Sequence, residues 1–493
     1  MGYGYDANRV RLMPRPSKKF KFGEWLPDQP DLDNPGVIEA LNVLWSAGQY
    51  RPYSPLNATG AAVPKMPLAA IRVVANLLIP LPTEVVVAAK DATGVAKIYA
   101  GSGAGAASWT DVSNTITGYS TSNLFGFAQY GNNIFSCNPF SALEYRPAFG
   151  GATTFVPLAA PKFYNLAVVG QFLVGGNLIQ SFGAPNQIQW SGIDDPFNWP
   201  VPNSAAAIAV QSGTQVLQQS QGAVQGIAGA DQWAVVMQDA ALTRMTYNGG
   251  ATVFAFDTIY KGPGPVSQYA WIKVGPLVYF ASRAGFFVCD GTNVVPLGEQ
   301  KIDKYFRDTA DFSFPLAFTC GVEWRKRVIL WSFPIIGSSG VPAMVMAFSL
   351  DDKRFTHCND TIATFVLGEE NQVVSPGTEA FSATNKECGI LNGTPGTAVL
   401  TSLEVEFNTG GKSLLQGVLP QISGTSPTVS VRIGSRNSQG DAVSFSGSQT
   451  PDAFTQSANF LIDQRYHRAE ISIAGAFDKA IGGEFDVTPS SPL

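Results

Sequence analysis

Few residues in this chain have the type and spacing to do chemistry, and each arrangement lacks a part. Gly410-Gly411-Lys412-Ser413 has the end of a phosphate-binding loop, but Glu406 stands where the upstream glycine is required. Its flanks read as strand and turn, so backbone amides would not converge at a helix N-terminus. Gly101-Ser102-Gly103-Ala104-Gly105-Ala106 satisfies G-x-G-x-x-A loosely, with no helix or downstream acid to complete a dinucleotide unit. There are two histidines, His357 and His467, neither in a nucleophile elbow, and too few for a histidine-rich metal site. The acid pairs Asp194-Asp195, Asp351-Asp352 and Glu369-Glu370 offer general acid and base groups. Neighbours on a strand point to opposite faces, so no pair can itself flank one glycosidic bond. Asp195-Pro196 reads more simply as a turn. Cys137, Cys289, Cys320, Cys358 and Cys388 are odd in number and lack C-x-x-C spacing, as expected of buried free thiols from a reducing cytosol. The sequence therefore predicts no catalytic residue, no cofactor and no metal, and a protein that is not an enzyme.

The elements around these residues are monotonous. From about residue 65 to 400, short apolar or alternating runs end in Gly-, Asn- or Pro-rich turns, as hairpin strands do. They recur in pairs: Glu84–Ala88 with Ala96–Ala100, Asn133–Ser136 with Ala142–Tyr145, and Gln171–Val174 with Gln187–Trp190. Trp233–Met237 pairs with Leu242–Tyr247, Leu277–Ala281 with Gly285–Cys289, and Arg327–Phe333 with Ala343–Phe348. A weaker pair is Ala363–Leu367 with Cys388–Leu391. Seven hairpins at spacings of roughly 40–60 residues predict a β-propeller of six or seven irregular blades, with a string of β-sandwich hairpins as the alternative. The best helical candidates are Pro35–Trp45 and Glu299–Asp311. After about Thr401 the strands Ser402–Phe407, Thr428–Ile433 and His467–Ile473 alternate cleanly, which predicts a small antiparallel sandwich. The fold class is all-β: an extended arm over 1–60, a propeller over 61–400 and a small β domain over 401–493.

At 493 residues there is length for more than one core, and 50 Gly and 33 Pro describe a turn-dense protein. Charged residues make up 14% of the chain, against about 25% in ordinary soluble domains, which suggests a surface either largely covered by partners or solvated by Ser, Thr, Asn and Gln. A net charge of −5 gives no general affinity for nucleic acid. No cationic, apolar-cored signal peptide opens the chain, and Leu77-Leu78-Ile79-Pro80 is too short to span a membrane, so the expectation is assembly in a cytoplasm with no membrane segment.

The N-terminus is segregated by charge. Arg9, Arg11, Arg15, Lys18, Lys19 and Lys21 form a basic tip, and Glu24, Asp28, Asp31, Asp33 and Glu39 form an acidic stem. The stem is too rich in Pro, Gly and Asp for a helix, yet it carries Phe22, Trp25 and Leu26, which a disordered leader would not need.

The stretch from Phe22-Gly23-Glu24-Trp25-Leu26-Pro27-Asp28 to Pro30-Asp31-Leu32-Asp33-Asn34-Pro35-Gly36 resembles the arm of the tail nozzle or tail-hub family of tailed bacteriophages. Gln189–Trp199, Val322–Arg325, Met346–Asp351, Gln464–Ile471 and Ile481–Val487 resemble later segments of that family in the same order. The resemblance implies a structural virion protein, plausible as a homo-hexamer, that forms a ring or tube around the DNA ejection channel. Its partners would be other tail proteins (an adaptor ring, and tail fibres or a needle), with transient contact to DNA. In that reading Phe22, Trp25 and Leu26 insert into an apolar groove of a neighbour, and Arg9, Arg11, Arg15, Lys18, Lys19 and Lys21 reach an acidic adjoining ring. Gln49–Tyr53 is the alternative use of the arm, as a strand closing the propeller within its own chain. A receptor- or glycan-binding tail tip, a tail-associated glycan hydrolase and a cellular propeller with an unknown partner are the other functional readings.

Overall fold

The computed structural model describes residues 17–73, 84–91, 93–114, 119, 124–148, 153–179, 183–250, 252–368 and 377–492. It is all-β, built from many small antiparallel sheets. Among the described residues no helix is long and apolar enough to cross a membrane.

The chain divides into two compact units, one of residues 54–394 and one of residues 1–53 with 395–493. In the larger unit, six runs of four consecutively paired strands, each called a sheet below, follow one another over 67–111, 126–157, 163–216, 224–261, 271–296 and 319–358. A seventh is made by 362–390, whose fourth strand is supplied from upstream by Asn57–Ala62. Each of the first six is a meander in which strands pair with their sequence neighbours. First strands of consecutive sheets lie side by side. The first strand of the seventh sheet, Ile362–Leu367, pairs in parallel with that of the first, Pro67–Val73.

The hairpins read from sequence are the second and third strands of the first six sheets, such as Val328–Pro334 against Pro342–Ser349, buried on both faces. The weaker seventh pair is corrected: Glu379–Ser382 lies between Ile362–Leu367 and Glu387–Ile390 and pairs with both. Apolar residues of facing sheets fill the space between them. Ile188 and Trp190 of the third sheet, for example, meet Ile227, Val236 and Met245 of the fourth. Contact there is close enough that a Cβ on Gly229 would fall 1.9 Å from the Val168 carbonyl oxygen.

The smaller unit is made from both chain ends. One sheet runs Val43–Ser46, Gln49–Pro52, Lys479–Pro492, Gly411–Ser423, Ala458–Gln464, with Ser17–Lys21 also on Lys479–Pro492. The other runs Glu39–Leu41, Ala398–Thr401, Tyr466–Ala474, Thr428–Arg436 and Ser444–Phe445. The arm is therefore not a separate segment but part of this unit. Of the two expected helices, Glu299–Asp311 contains Asp303–Thr309, whereas Pro35–Trp45 contains Glu39–Leu41 and most of Val43–Ser46, both strands. Its Val37, Ile38 and Val43 are β-branched, and Asn42 turns the chain at φ 58° between Glu39–Leu41, whose partner Ala398–Thr401 is far along the sequence, and Val43–Ser46, which forms a hairpin with Gln49–Pro52.

Candidate functional site

The conspicuous sequence signature, residues 22–36, folds back on itself. The Val37 amide donates to the Glu24 carbonyl (2.7 Å) and the Leu26 amide to the Val37 carbonyl (3.0 Å). Asn34 ties the loop: its side-chain amide donates to the Leu26 carbonyl (3.1 Å) and its oxygen accepts from the Gly36 amide (2.8 Å). Gly36 has no substitute here, because a Cβ would lie 1.8 Å from the Glu24 carbonyl oxygen.

This loop docks on the C-terminal strands. Ser17–Lys21 adds to Lys479–Pro492 as an antiparallel strand, and the Phe22 amide continues the ladder to the Ile481 carbonyl (2.8 Å). Phe20 packs on Phe485 with ring centroids 4.6 Å apart, and Phe22 meets Tyr50 edge-on. Trp25 is 1% exposed, and its indole N–H donates to the Ile38 carbonyl (3.2 Å). Leu26 is buried with them. The Arg468 guanidinium holds Asp31 at 2.8 Å, and the Asp33 amide donates to the carbonyl of Glu404, whose buried carboxylate receives two bonds from Arg436.

Of the predicted assembly residues, Arg9, Arg11 and Arg15 lie outside the described residues. Lys18, Lys19 and Lys21 are exposed on the edge of Ser17–Lys21, with Lys18 over the Phe407 ring. The insertion of Phe22, Trp25 and Leu26 into a neighbour is corrected, because their apolar surface is already buried by their own chain. Gln49–Pro52 pairs with Val43–Ser46 and touches Ala480, so it does not supply the seventh sheet's fourth strand, which is Asn57–Ala62. Sequence reading missed Phe20, whose isolated position among lysines conceals that one face of the strand is buried.

The groups that could do chemistry are occupied by structure. The Gly410 amide donates to Glu406 (2.9 Å), which also receives Arg465, and the residues after it enter a strand. His467 is fully buried, and burial lowers its pKa. Its Nε2 lies 3.0 Å from the Gln464 carbonyl and 3.2 Å from that of Ser413, so the proton sits on Nε2 and the ring cannot accept one from Ser413 Oγ at 3.0 Å. Asp194 accepts from Gln171, and Asp195 caps the Phe197 amide. Asp351 pairs with Arg327. Glu369-Glu370 lies outside the described residues. All five cysteines are buried, and none forms a disulfide. Among the described residues no group of His, Cys, Asp and Glu could hold a metal ion.

The larger unit contains a cavity of about 270 Å³ where its first strands converge, lined by Ala69, Phe127, Leu166, Ile227, Trp271, Cys320 and Phe365, one from each sheet. Among the described residues its lining has no aspartate, glutamate or histidine, so no general acid or base of those types faces it. Polar staples hold the sheets around it. Arg146 grips Glu84 through two bonds (2.6 and 3.1 Å), Arg72 pairs with buried Glu379, and the Asn165 amide donates to the Val224 carbonyl.

No family model matches the chain, and no curated protein does. Among solved structures it is similar to the crystal structure of the computationally designed Ika8 protein, at 12% identity and a TM-score of 0.38, over 75% of this chain and 100% of that one. A likeness that slight carries no argument about fold or function.

Proposed function

We propose that this protein is a structural subunit of a bacteriophage tail, a ring- or tube-forming nozzle or hub whose copies surround the DNA ejection channel. One observation carries the reading: the N-terminal signature folds directly onto the C-terminal segments that share its resemblance. Phe22 bonds Ile481, and Asp31 pairs with Arg468. Segments that resemble the family at opposite chain ends are thus one interdependent piece.

Residues 54–394 are read as a seven-bladed propeller. What supports this is the succession of seven four-stranded sheets, the parallel pairing of the seventh first strand with the first, and the upstream strand completing the seventh sheet. A propeller held shut in this way leaves few exposed strand edges, consistent with a chain poor in guarding charge. The subunit works by geometry. Interfaces carry stability, and with a net charge of −5 its walls do not condense onto phosphates. Lys18, Lys19 and Lys21, together with Arg9, Arg11 and Arg15, remain the tip that reaches an acidic neighbour.

Electron microscopy of the purified protein, alone and co-expressed with tail proteins, tests the reading. A closed ring or tube of about six copies with a channel wide enough for a DNA duplex is the expected result. A monomer or a peripheral trimer would replace it with receptor binding.

A further inference from the structure

Two exposed apolar patches on residues 54–394 lie in charge-free stretches of sequence. The first is the link between the third and fourth strands of the third sheet. Residues 196–230 contain no Asp, Glu, Lys, Arg or His, and within them Val201 is 75% and Ile208 71% exposed. The link is ordered, not loose. Ser204 caps the helix Ala205–Ala209, the Ile193 amide donates to the Val210 carbonyl (2.9 Å), and the Phe197 ring rests on Tyr145.

The second patch joins the approach to the sixth sheet with the hairpin between that sheet's second and third strands. Residues 312–322 and 328–350 are likewise uncharged, and Ile336 is 67% exposed beside exposed Phe314, Leu316 and Val341. The two pieces are one surface. The Ile336 amide donates to the Thr309 carbonyl (2.9 Å), and Gly340 lies so close to the Phe314 ring that a Cβ would sit 2.6 Å from it.

Apolar surface of this kind, depleted of charge at its centre, has the composition of a protein interface. The rims differ in sign. Asp194 and Asp195 border the first patch. Arg283 and Arg307 border the second, their guanidiniums bonding the Phe312 and Ala284 carbonyls, while Asp308 there is paired with Lys304 and Asp311 caps the Ser313 amide. The patches are also at opposite ends of their sheets. In a four-stranded meander the connection between strands three and four is at one end, and the connection between strands two and three, with the link to the next sheet, is at the other.

We infer that the occupant of each patch is a second copy of this chain, the first patch of one subunit docking on the second patch of the next. Such a contact is head-to-tail, so it propagates and closes into a ring when the rotation permits. The inference rests on the ring-forming reading for closure, but not for the contact itself.

The test uses Ile208→Asp and Ile336→Asp in the full chain, followed by sedimentation. Both side chains are exposed, so each variant should keep the wild-type circular dichroism spectrum. The wild type should assemble beyond a dimer, and each variant alone should be monomeric, its association weakened at least tenfold. Mixed, the variants should form a heterodimer and stop, because each retains the patch the other lacks. A monomeric wild type, a variant that assembles normally, or a mixture that stays monomeric overturns the inference. Assembly through other surfaces would do so while leaving the nozzle reading standing. Loss of assembly in both variants, from a wild-type particle without a channel, would do the reverse.

Discussion

The two units are built by opposite rules. Residues 54–394 are stitched mostly from neighbours in sequence, with two long-range strand pairings: Asn57–Ala62 completes the last sheet, and Ile362–Leu367 pairs with Pro67–Val73. The smaller unit exists only because the two chain ends meet: Ser17–Lys21 lies on Lys479–Pro492, Glu39–Leu41 on Ala398–Thr401, and Asp31 on Arg468 across a separation of 437 positions. Local contacts cost little loop entropy, whereas pairing across most of a chain costs more and is gained late. The larger unit should therefore tolerate damage to the smaller, and the reverse should not be assumed.

The strongest way to break this contrast is to empty the smaller unit's core from its N-terminal side. Trp25→Ala removes a fully buried ring and an indole bond, and is expected to cost about 3–5 kcal/mol. Removing residues 1–30 should go further and unfold that unit, since it takes away Phe20, Phe22, Trp25 and Leu26 together. Denaturant unfolding followed by hydrogen exchange checks both. Protection should be lost in 395–492 and kept in the central strands of 54–394. Loss of protection throughout would show that the two units fold as one.

The same contrast explains what was legible in the sequence. Central strands such as Trp233–Gln238 and Val328–Pro334 announce themselves because both their faces are buried and the turns beside them are explicit. Outer strands such as Thr110–Asp111 and Val156–Pro157 are two residues long and exposed or half-buried, and so carry no pattern. In the stem around Trp25, composition excluded a helix and demanded that Trp25 be covered, but it could not say by what. The strand on which Ser17–Lys21 and Phe22 dock lies at the other end of the chain, and nothing local distinguishes docking on oneself from docking on a neighbour. The interface patches were legible only as low overall charge. Their location needed the knowledge that Ile208 and Ile336 point outward while Val328–Pro334, equally apolar, is buried.

A subtler difference lies in how the larger unit buries polarity. Glu144 is fully buried and accepts the Tyr119 hydroxyl at 3.0 Å. Burial raises its pKa to about 8, with the hydroxyl bond pulling in the other direction. A carboxyl raised in the folded state contributes stability that is complete below the ordinary carboxylate range and is lost as pH climbs through that range towards about 8. The larger unit should lose at most about 1.4 kcal/mol per pH unit over that window. Glu144→Gln, which cannot ionise, should flatten the slope. Melting temperatures from pH 5 to 9 for both proteins decide it, and parallel curves would remove Glu144 as the cause.

The smallest effect tests the seam between signature and C-terminus. Asp31 is 38% exposed at its side chain, so solvent screens its attraction to Arg468, and Asp31→Asn should cost under about 1 kcal/mol. Arg468 does not depend on Asp31 alone, because its guanidinium also lies over the Phe445 ring. The cost should accordingly shrink further in high salt, whereas that of Trp25→Ala should not. A salt-insensitive loss at Asp31 would mean that the carboxylate's work is to shape the loop between Leu26 and Asn34 rather than to hold it against the strand. The signature would then be conditioned chiefly by its own folding-back and only secondarily by its partner strand.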